Sequence, residues 1–485
     1  MCFCRSKQVC YSFFNQSKMN NNQQRRSFLK NAAALATLVG LPAGRSYAKS
    51  DAQDLVEAAS QTLPSFGKPV FGLRVLPIKQ VRVAVIGLGN RGEEHVRLLN
   101  AVGTDKCKIT AICDVRDEFA QKSLKMLKEN GGQKPAVYSG KLDAWKELCK
   151  RDDVDLVTIA TPWEDHVPQA VFAMQQGKHV ALEVPCALTF EECWQLVNTA
   201  EETQRNCMIL ENVCYGDEEL WLLNMAESGV FGTLTYAECA YIHDLRELLF
   251  SKSYYYNMWR LRHNEARDGN LYPTHGLGPV AQYMGIDRGD RFDYLVSMSS
   301  VQAGLDEFAS TVEPDNEFFN RKGFKHGDMN NTLIKTARGR TILLQHDVTT
   351  GRPYSRINSL AGTKAFHKGY PSQMSISGQG HGFLKPEQYK EYKERYAHPL
   401  WKKLEPLAEK NGGHGGMDFV MLWRMIDCLN RGVELDMDVY DAAAWSVVTP
   451  ASELSIQMGS VPVKFPDFTR GYWKNERKLG VMANP

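Results

Sequence analysis

The sequence carries no surplus of one charge: 58 Lys and Arg stand against 56 Asp and Glu, a formal net charge of +2 at pH 7. No global field therefore draws the chain to nucleic acid or to an anionic membrane surface. Apolar runs are short as well, and none reaches the roughly 18 to 20 residues of a spanning helix, so no stable membrane anchor is expected. Internal repeats and low-complexity tracts are missing. Of 12 cysteines, Cys2, Cys4 and Cys10 precede Met19, and the other nine fall at Cys107, Cys113, Cys149, Cys186, Cys193, Cys207, Cys214, Cys239 and Cys428. Nine is odd, and no CxxC pair or Cys/His ligand spacing occurs among them, so neither a disulfide framework nor a structural zinc is predicted. His243, Asp244 and His414 match no recognised ligand set, and no metal is expected. What is left is a globular chain of 485 residues, long enough for two domains with sizeable cores.

The most informative stretch runs from Val81 to Asp114, VRVAVIGLGNRGEEHVRLLNAVGTDKCKITAICD. Val81 to Ile86 is a short apolar, β-branched run; Gly87-x-Gly89-x-x-Gly92 follows at once, and Glu93 to Leu99 shows helical spacing with Val96 and Leu99 on one face. A second strand, Lys108 to Cys113, ends at Asp114. Strand, glycine turn, helix and strand-terminal acid suit a Rossmann dinucleotide site. The glycines let the backbone approach a pyrophosphate, the helix N-terminus supplies N–H donors, and the carboxylate accepts from a ribose hydroxyl. An acid at that strand end favours NAD over NADP, because it would repel a 2′-phosphate.

Upstream, Arg25-Arg26-Ser27-Phe28-Leu29-Lys30 precedes a weakly apolar run, Ala32 to Leu41, and then Ser46-Tyr47-Ala48. A basic start, a short apolar core and a small-x-small site describe a cleavable export signal over residues 1–48. The paired arginines point to the twin-arginine export machinery and a periplasmic location. That machinery exports folded proteins, which fits a chain that binds its nucleotide first. Residues 1–18 read as an upstream extension with Met19 the true start, and residues 49–79 as an extended arm packed on the first domain.

From Val81 the βα alternation is regular. Helices are predicted over Asp117–Asn130, Leu142–Lys150, Val167–Gln176 and Glu218–Glu227, and strands over Ala136–Tyr138, Val154–Ala160, His179–Glu183 and Asn206–Val213. Thr189 and Glu192 form a capping box for a further helix. After Gly232, strand-like runs follow one another at Leu234–Ile242, Arg291–Ala303, Asp328–Ala337, Arg340–Val348 and Ile357–Gly362, which implies an antiparallel sheet in a second, α+β domain. Late helices, Gly416–Asn430 and Val439–Gly459, read as returning to cover the sheet or the first domain. The fold class is thus α/β followed by α+β, with a Rossmann domain over residues 80–215 and a second domain over residues 216–485.

Thr161-Pro162-Trp163-Glu164-Asp165-His166 follows the fourth strand, Glu183-Val184-Pro185 the fifth, and Gly229-x-Phe231-Gly232 opens the second domain. With the glycine turn, these resemble the Gfo/Idh/MocA oxidoreductases, which join a Rossmann domain to an open, mainly antiparallel sheet. That family usually has Glu-Lys-Pro where Val184 stands here, so the usual acid/base lysine is missing and a sugar oxidoreductase with net turnover is disfavoured. Longer strings are similar to one branch, glycoside hydrolase family 109: Glu211-Asn212-Val213-Cys214-Tyr215, Tyr241-Ile242-His243-Asp244-Leu245-Arg246, Leu271-Tyr272-Pro273-Thr274-His275-Gly276, Arg352-Pro353-Tyr354 and Gly412-Gly413-His414-Gly415-Gly416-Met417-Asp418.

The resemblance implies NAD as cofactor, held by Gly87, Gly89, Asn90, Arg91, Gly92, Asp114, Trp163, His166, Glu183, Val184 and Asn212. It implies sugar contacts at Tyr241, Arg260, Tyr272, Pro273, Thr274, His275 and Tyr354. It further implies hydrolysis of terminal α-linked N-acetylgalactosamine by C3 oxidation, C2 deprotonation, elimination, water addition and re-reduction, with Tyr241 as C2 base and His275 and Tyr272 handling the C3 hydroxyl proton. Two opposed carboxylates are then unnecessary. A free tyrosine titrates near pH 10, so Tyr241 is expected to have a depressed pKa, with Arg260 or the positive nicotinamide lowering it. The family suggests dimers or higher oligomers. By residue pattern alone, Tyr272 and His275 are read in a loop, Tyr241 at a strand end, and Thr161–His166 as a loop walling the nicotinamide.

Overall fold

The computed structural model describes residues 54, 56–65 and 67–485; the export signal and the Met19 start lie outside them. The chain divides into residues 1–61 and 62–485, and the architecture described here is that of the second unit.

Its first sheet is parallel throughout. Strands β1 (Val81–Ile86), β2 (Cys107–Asp114), β3 (Ala136–Ser139), β4 (Leu156–Ile159), β5 (His179–Leu182) and β6 (Cys207–Ile209) lie in the order β3-β2-β1-β4-β5-β6. Helices α1 (Asn90–Val102), α2 (Asp117–Glu129), α3 (Ala144–Cys149), α4 (Trp163–Gln175) and α5 (Phe190–Thr203) make the crossovers. β4 is buried at every position, as its continuous apolar run requires of a central strand. The capping box at α5 is present: the Glu192 N–H donates to Thr189 Oγ1 at 3.1 Å and the Thr189 N–H to Glu192 Oε2 at 3.2 Å. The strand order reverses between β1 and β4, which opens a crevice at their carboxyl ends.

The second sheet has eight strands: β7 (Leu234–Ile242), β8 (Phe292–Ser299), β9 (Asn330–Thr336), β10 (Thr341–Asp347), β11 (Ser359–Gly362), β12 (Ala365–Lys368), β13 (Gln373–Ile376) and β14 (Val463–Lys464). Their order is β13-β12-β11-β7-β10-β9-β8-β14, with every neighbour antiparallel except β7 and β10. The longer helices that follow the first domain are α6 (Asp217–Glu227), α7 (Trp259–Ala266), α8 (Thr274–Tyr283), α9 (Pro386–Tyr396), α10 (Pro399–Asn411), α11 (Met417–Arg431), α12 (Val439–Ser446) and α13 (Val448–Gln457). α11 returns to pack on α1 and β1, α12 packs on α5 and β6, and α13 covers β8. Residues 67–79 of the arm join the same layer. Gln204 donates to the Lys68 carbonyl at 2.7 Å, the Phe71 ring stacks on Tyr440 with centroids 3.8 Å apart, and the Ile78 N–H donates to the Leu429 carbonyl at 3.0 Å.

Several sequence expectations need correction. Thr161–His166 is not all loop, because α4 begins at Trp163. Residues 206–213 give a strand only over Cys207–Ile209; the Glu211 carboxylate then accepts from the Val213 N–H at 3.2 Å and turns the chain into a 3-10 helix, Asn212–Tyr215. Tyr272 and Pro273 lie just before α8, and Thr274, His275 and Gly276 are its first turn. That helix is buried on nearly every side, so its sequence shows no amphipathic period. The stretch predicted as one helix over 439–459 is two: Pro450 has no N–H, and its ring excludes the carbonyl of Ser446, where α12 ends. α7, α9 and α10 are additional to the predicted elements; α9 buries no residue and so leaves no apolar trace.

Candidate active site

The glycine turn forms at the carboxyl end of β1 for steric reasons. Gly87 has φ +82°, and a Cβ there would lie 2.7 Å from the Ala160 carbonyl carbon. A Cβ at Gly92 would sit 1.7 Å from the Gly87 oxygen, so the first turn of α1 closes against the strand only with glycine. At Gly89 a Cβ would meet nothing within 4 Å among the described residues, which leaves backbone-level space over the N-terminus of α1. Asp114 at the end of β2 accepts from the Leu88 N–H at 2.6 Å and the Arg116 N–H at 2.8 Å. Burial pushes its pKa up, and those two donors oppose the rise. These residues fit a dinucleotide: an open glycine cradle on a helix N-terminus, and an acid beside it for a ribose hydroxyl.

Other residues expected at the cofactor have protein partners. The Asn90 amide donates to the Tyr254 carbonyl at 2.8 Å. Arg91 bridges two carboxylates, Glu183 at 2.9 Å and Asp418 at 3.0 Å, and His95 Nε2 adds a third contact to Glu183 at 2.8 Å. Burial alone would raise the Glu183 pKa; the charge of Arg91 and the hydrogen bond from His95 overrule it and hold the carboxyl at about 2. Asn212 donates to Asp418 at 2.6 Å, and its amide oxygen is buried without a protein partner among the described residues. Trp163 donates through Nε1 to the Val184 carbonyl at 3.2 Å. His166 is fully enclosed, with Nδ1 2.9 Å from the Pro185 carbonyl and Nε2 3.0 Å from the Thr161 carbonyl. Burial lowers its pKa; the neutral ring carries one N–H and donates to one of these two carbonyls, which anchors it between the backbone turns that flank the crevice.

Facing these strand ends is an aromatic cluster. Tyr241, at the end of β7, has its ring centroid 4.7 Å from Tyr272, 5.3 Å from His275 and 6.2 Å from Tyr354. Arg260 on α7 lies over the Tyr272 ring at 4.4 Å and the Trp163 ring at 5.1 Å, and donates to the Tyr255 hydroxyl at 3.1 Å. Gly276 makes this convergence possible, since a Cβ there would lie 2.6 Å from the Ala240 nitrogen and force α8 off β7. Thr274 follows Pro273 into α8, and its hydroxyl is buried without a partner among the described residues. Tyr354 is half-exposed at the rim.

Arg260 by itself does not depress the Tyr241 pKa. Burial is the larger influence and raises its pKa, while Arg260 opposes without prevailing; Tyr272 is raised for the same reason. Both are neutral phenols at ordinary pH.

Sequence reasoning gave no role to Glu211, His95 or Asp418. Glu211 is wholly enclosed, and its Oε1 lies 2.7 Å from His275 Nδ1. The one sequence trace of Glu211 is its place just beyond a parallel strand, and nothing local marks its pairing with a helix 64 positions away. The pairing fixes the imidazole, because Nδ1–H donates to the carboxylate and leaves Nε2 as acceptor.

Comparison with known proteins agrees with this construction. Residues 81–211 match the oxidoreductase family, NAD-binding Rossmann fold, and residues 215–475 match glycosyl hydrolase 109, C-terminal domain. Glycosyl hydrolase family 109 protein 1 of Shewanella sp. strain MR-4 is 47% identical over 466 residues, which cover 96% of this chain and 100% of that protein. The alpha-N-acetylgalactosaminidase of Shewanella oneidensis is 46% identical over the same shares. Among solved structures, levoglucosan dehydrogenase in complex with NADH and levoglucosan superposes with a TM-score of 0.60 at 17% identity, over 80% of this chain and 100% of that one. An inositol dehydrogenase homolog from Azotobacter vinelandii, complexed with NADH and myo-inositol, gives 0.58 at 17%, over 80% and 98%. These two share the fold. With an NAD-binding Rossmann domain, the second domain matched along nearly its whole length and relatives this similar end to end, the chain belongs to glycoside hydrolase family 109.

Proposed function

We propose that the protein removes terminal α-linked N-acetylgalactosamine with no net redox change. The observation that carries this reading is the Glu211–His275 pair set beside Tyr241 and Tyr272, facing the Rossmann strand ends. The name of the Shewanella oneidensis relative supports the sugar. When bound, NAD supplies a hydride acceptor for the sugar C3 that returns the hydride within the same turnover. His275, with Nδ1–H held by Glu211, offers Nε2 to the C3 hydroxyl proton, and the neutral Tyr272 phenol donates to the same oxygen. Val184, in place of a lysine, leaves that proton to these two groups. The C3 ketone acidifies the C2 proton, which Tyr241 removes as its phenolate, the form that Arg260 and the positive nicotinamide of bound NAD would favour against burial; the released electron pair expels the aglycone oxygen from C1, and water then adds its oxygen to C1 and a proton back to C2 before C3 is reduced.

The test is incubation of the purified protein with p-nitrophenyl α-N-acetylgalactosaminide, with no NAD added. Nitrophenol release without accumulating NADH absorbance is the expected result. Stoichiometric NADH without release would instead make the protein a sugar oxidoreductase with net turnover, and a panel of aryl glycosides ranks other sugars.

We read residues 19–48 as a twin-arginine signal that sends the folded protein to the periplasm. Changing Arg25-Arg26 to Lys-Lys should leave the precursor in the cytoplasmic fraction. Exposed Tyr294, Met298 and Leu333 on β8 and β9 support association of this sheet with a second copy, which light scattering would detect as a dimer or larger.

A further inference from the structure

The buried carboxylate of Asp418 stands outside both the sugar cluster and the glycine turn. It lies in the first turn of α11, some 300 residues after the glycine turn in sequence, and has no solvent exposure. Its Oδ2 accepts from Arg91 at 3.0 Å and faces His414 Nδ1 at 2.7 Å; its Oδ1 accepts from Asn212 at 2.6 Å. Arg91 and Asn212 come from separate elements of the Rossmann domain, at the start of α1 and just beyond β6. No hydrogen bond joins them to each other; Asp418 joins them both. The glycines before it let the chain come this close. Gly413 has φ +84°, and a Cβ there would lie 2.9 Å from the Asp418 Cβ.

From this we infer that Asp418 is a positioning residue for the cofactor: it fixes Arg91 and Asn212 from the C-terminal segment, so that release of NAD requires this junction to open. The inference rests on the NAD-binding domain and not on the identity of the sugar. An enclosed carboxylate with three charged or polar donors rigidifies all of them. A neutral amide in its place would leave Arg91 held by Glu183 alone and turn an N–H toward one of the former donors.

The experiment uses full-length Asp418→Asn and His414→Ala, each desalted to remove free nucleotide. NAD per chain is measured after acid release, NADH affinity by fluorescence, and turnover against added NAD. For Asp418→Asn, affinity should fall roughly tenfold or more, the change that follows from about 1.4 kcal/mol. The NAD concentration that gives half-maximal turnover should rise by the same factor, because the carboxylate acts on cofactor binding. His414→Ala leaves the other two donors in place and should release NADH several-fold faster. Unchanged retention and affinity in Asp418→Asn would overturn the inference, as would an unchanged NAD concentration for half-maximal turnover. Should Asp418→Asn fail to fold, an unchanged release rate in His414→Ala overturns it.

Discussion

Glu211 Oε1 lies 2.7 Å from His275 Nδ1, while the other oxygen of this wholly enclosed carboxylate has no protein partner among the described residues. A charge is buried there with a single side-chain donor, and the return for that cost is an imidazole locked in one tautomer with Nε2 toward the cleft. Glu211→Gln keeps the shape and removes the charge. Turnover should fall roughly 100-fold, within the span of general acid–base contributions, while bound NAD per chain stays at the wild-type level. Loss of NAD together with turnover would assign Glu211 to cofactor binding instead.

Tyr241→Phe removes the phenol oxygen and leaves the ring stack with Tyr272. Exchange of the sugar C2 proton with deuterated solvent, followed by mass spectrometry of recovered substrate, should stop, and NAD should stay bound. The assignment is falsified if exchange continues at the wild-type rate.

Arg260 lowers the Tyr241 pKa against a larger rise from burial. Replacing it with methionine removes the lowering influence, so the pKa rises further. A base must be deprotonated to act, so the ascending limb of the turnover–pH profile should move to higher pH and the rate at pH 7 should drop. A limb that stays in place, or moves to lower pH, would separate Arg260 from the base.

The two helix-side glycines of the turn should fail in different ways. A Cβ at Gly92 meets the Gly87 oxygen at 1.7 Å, so Gly92→Ala should destabilise the fold itself by several kcal/mol, as overpacking against fixed backbone does. Gly89 has φ −68° and open space around its Cβ position. Gly89→Ala should change stability by no more than about 0.5 kcal/mol yet lower NAD affinity, because the methyl enters the cofactor cradle. Thermal unfolding of the stripped protein and NADH titration separate the two effects.

Much of this fold is legible in the chain because its rules are local. An apolar run closed by Gly87 marks β1, a nearly continuous apolar run marks β4, a Thr-x-x-Glu pair marks the start of α5, and an acid at the end of the second strand marks Asp114. Where burial is uniform or absent, the same rules carry no information. α8 is enclosed on nearly every side and α9 on none, and the sequence reading registered neither as a helix.

Sequence by itself determined the βα alternation of the first domain, the glycine turn and its acid, since each depends on backbone conformation and side-chain size within a few residues. Family resemblance added which tyrosines and histidine are expected at the sugar end. Only the tertiary structure decided how charges are paired: Arg91 on Glu183 and Asp418, Glu211 under His275, His166 anchored between two carbonyls, and Tyr241 held neutral by burial against Arg260. An ionisable group answers to whatever lies within a few ångströms after folding, and those neighbours come from helices up to 327 positions away that no local pattern connects.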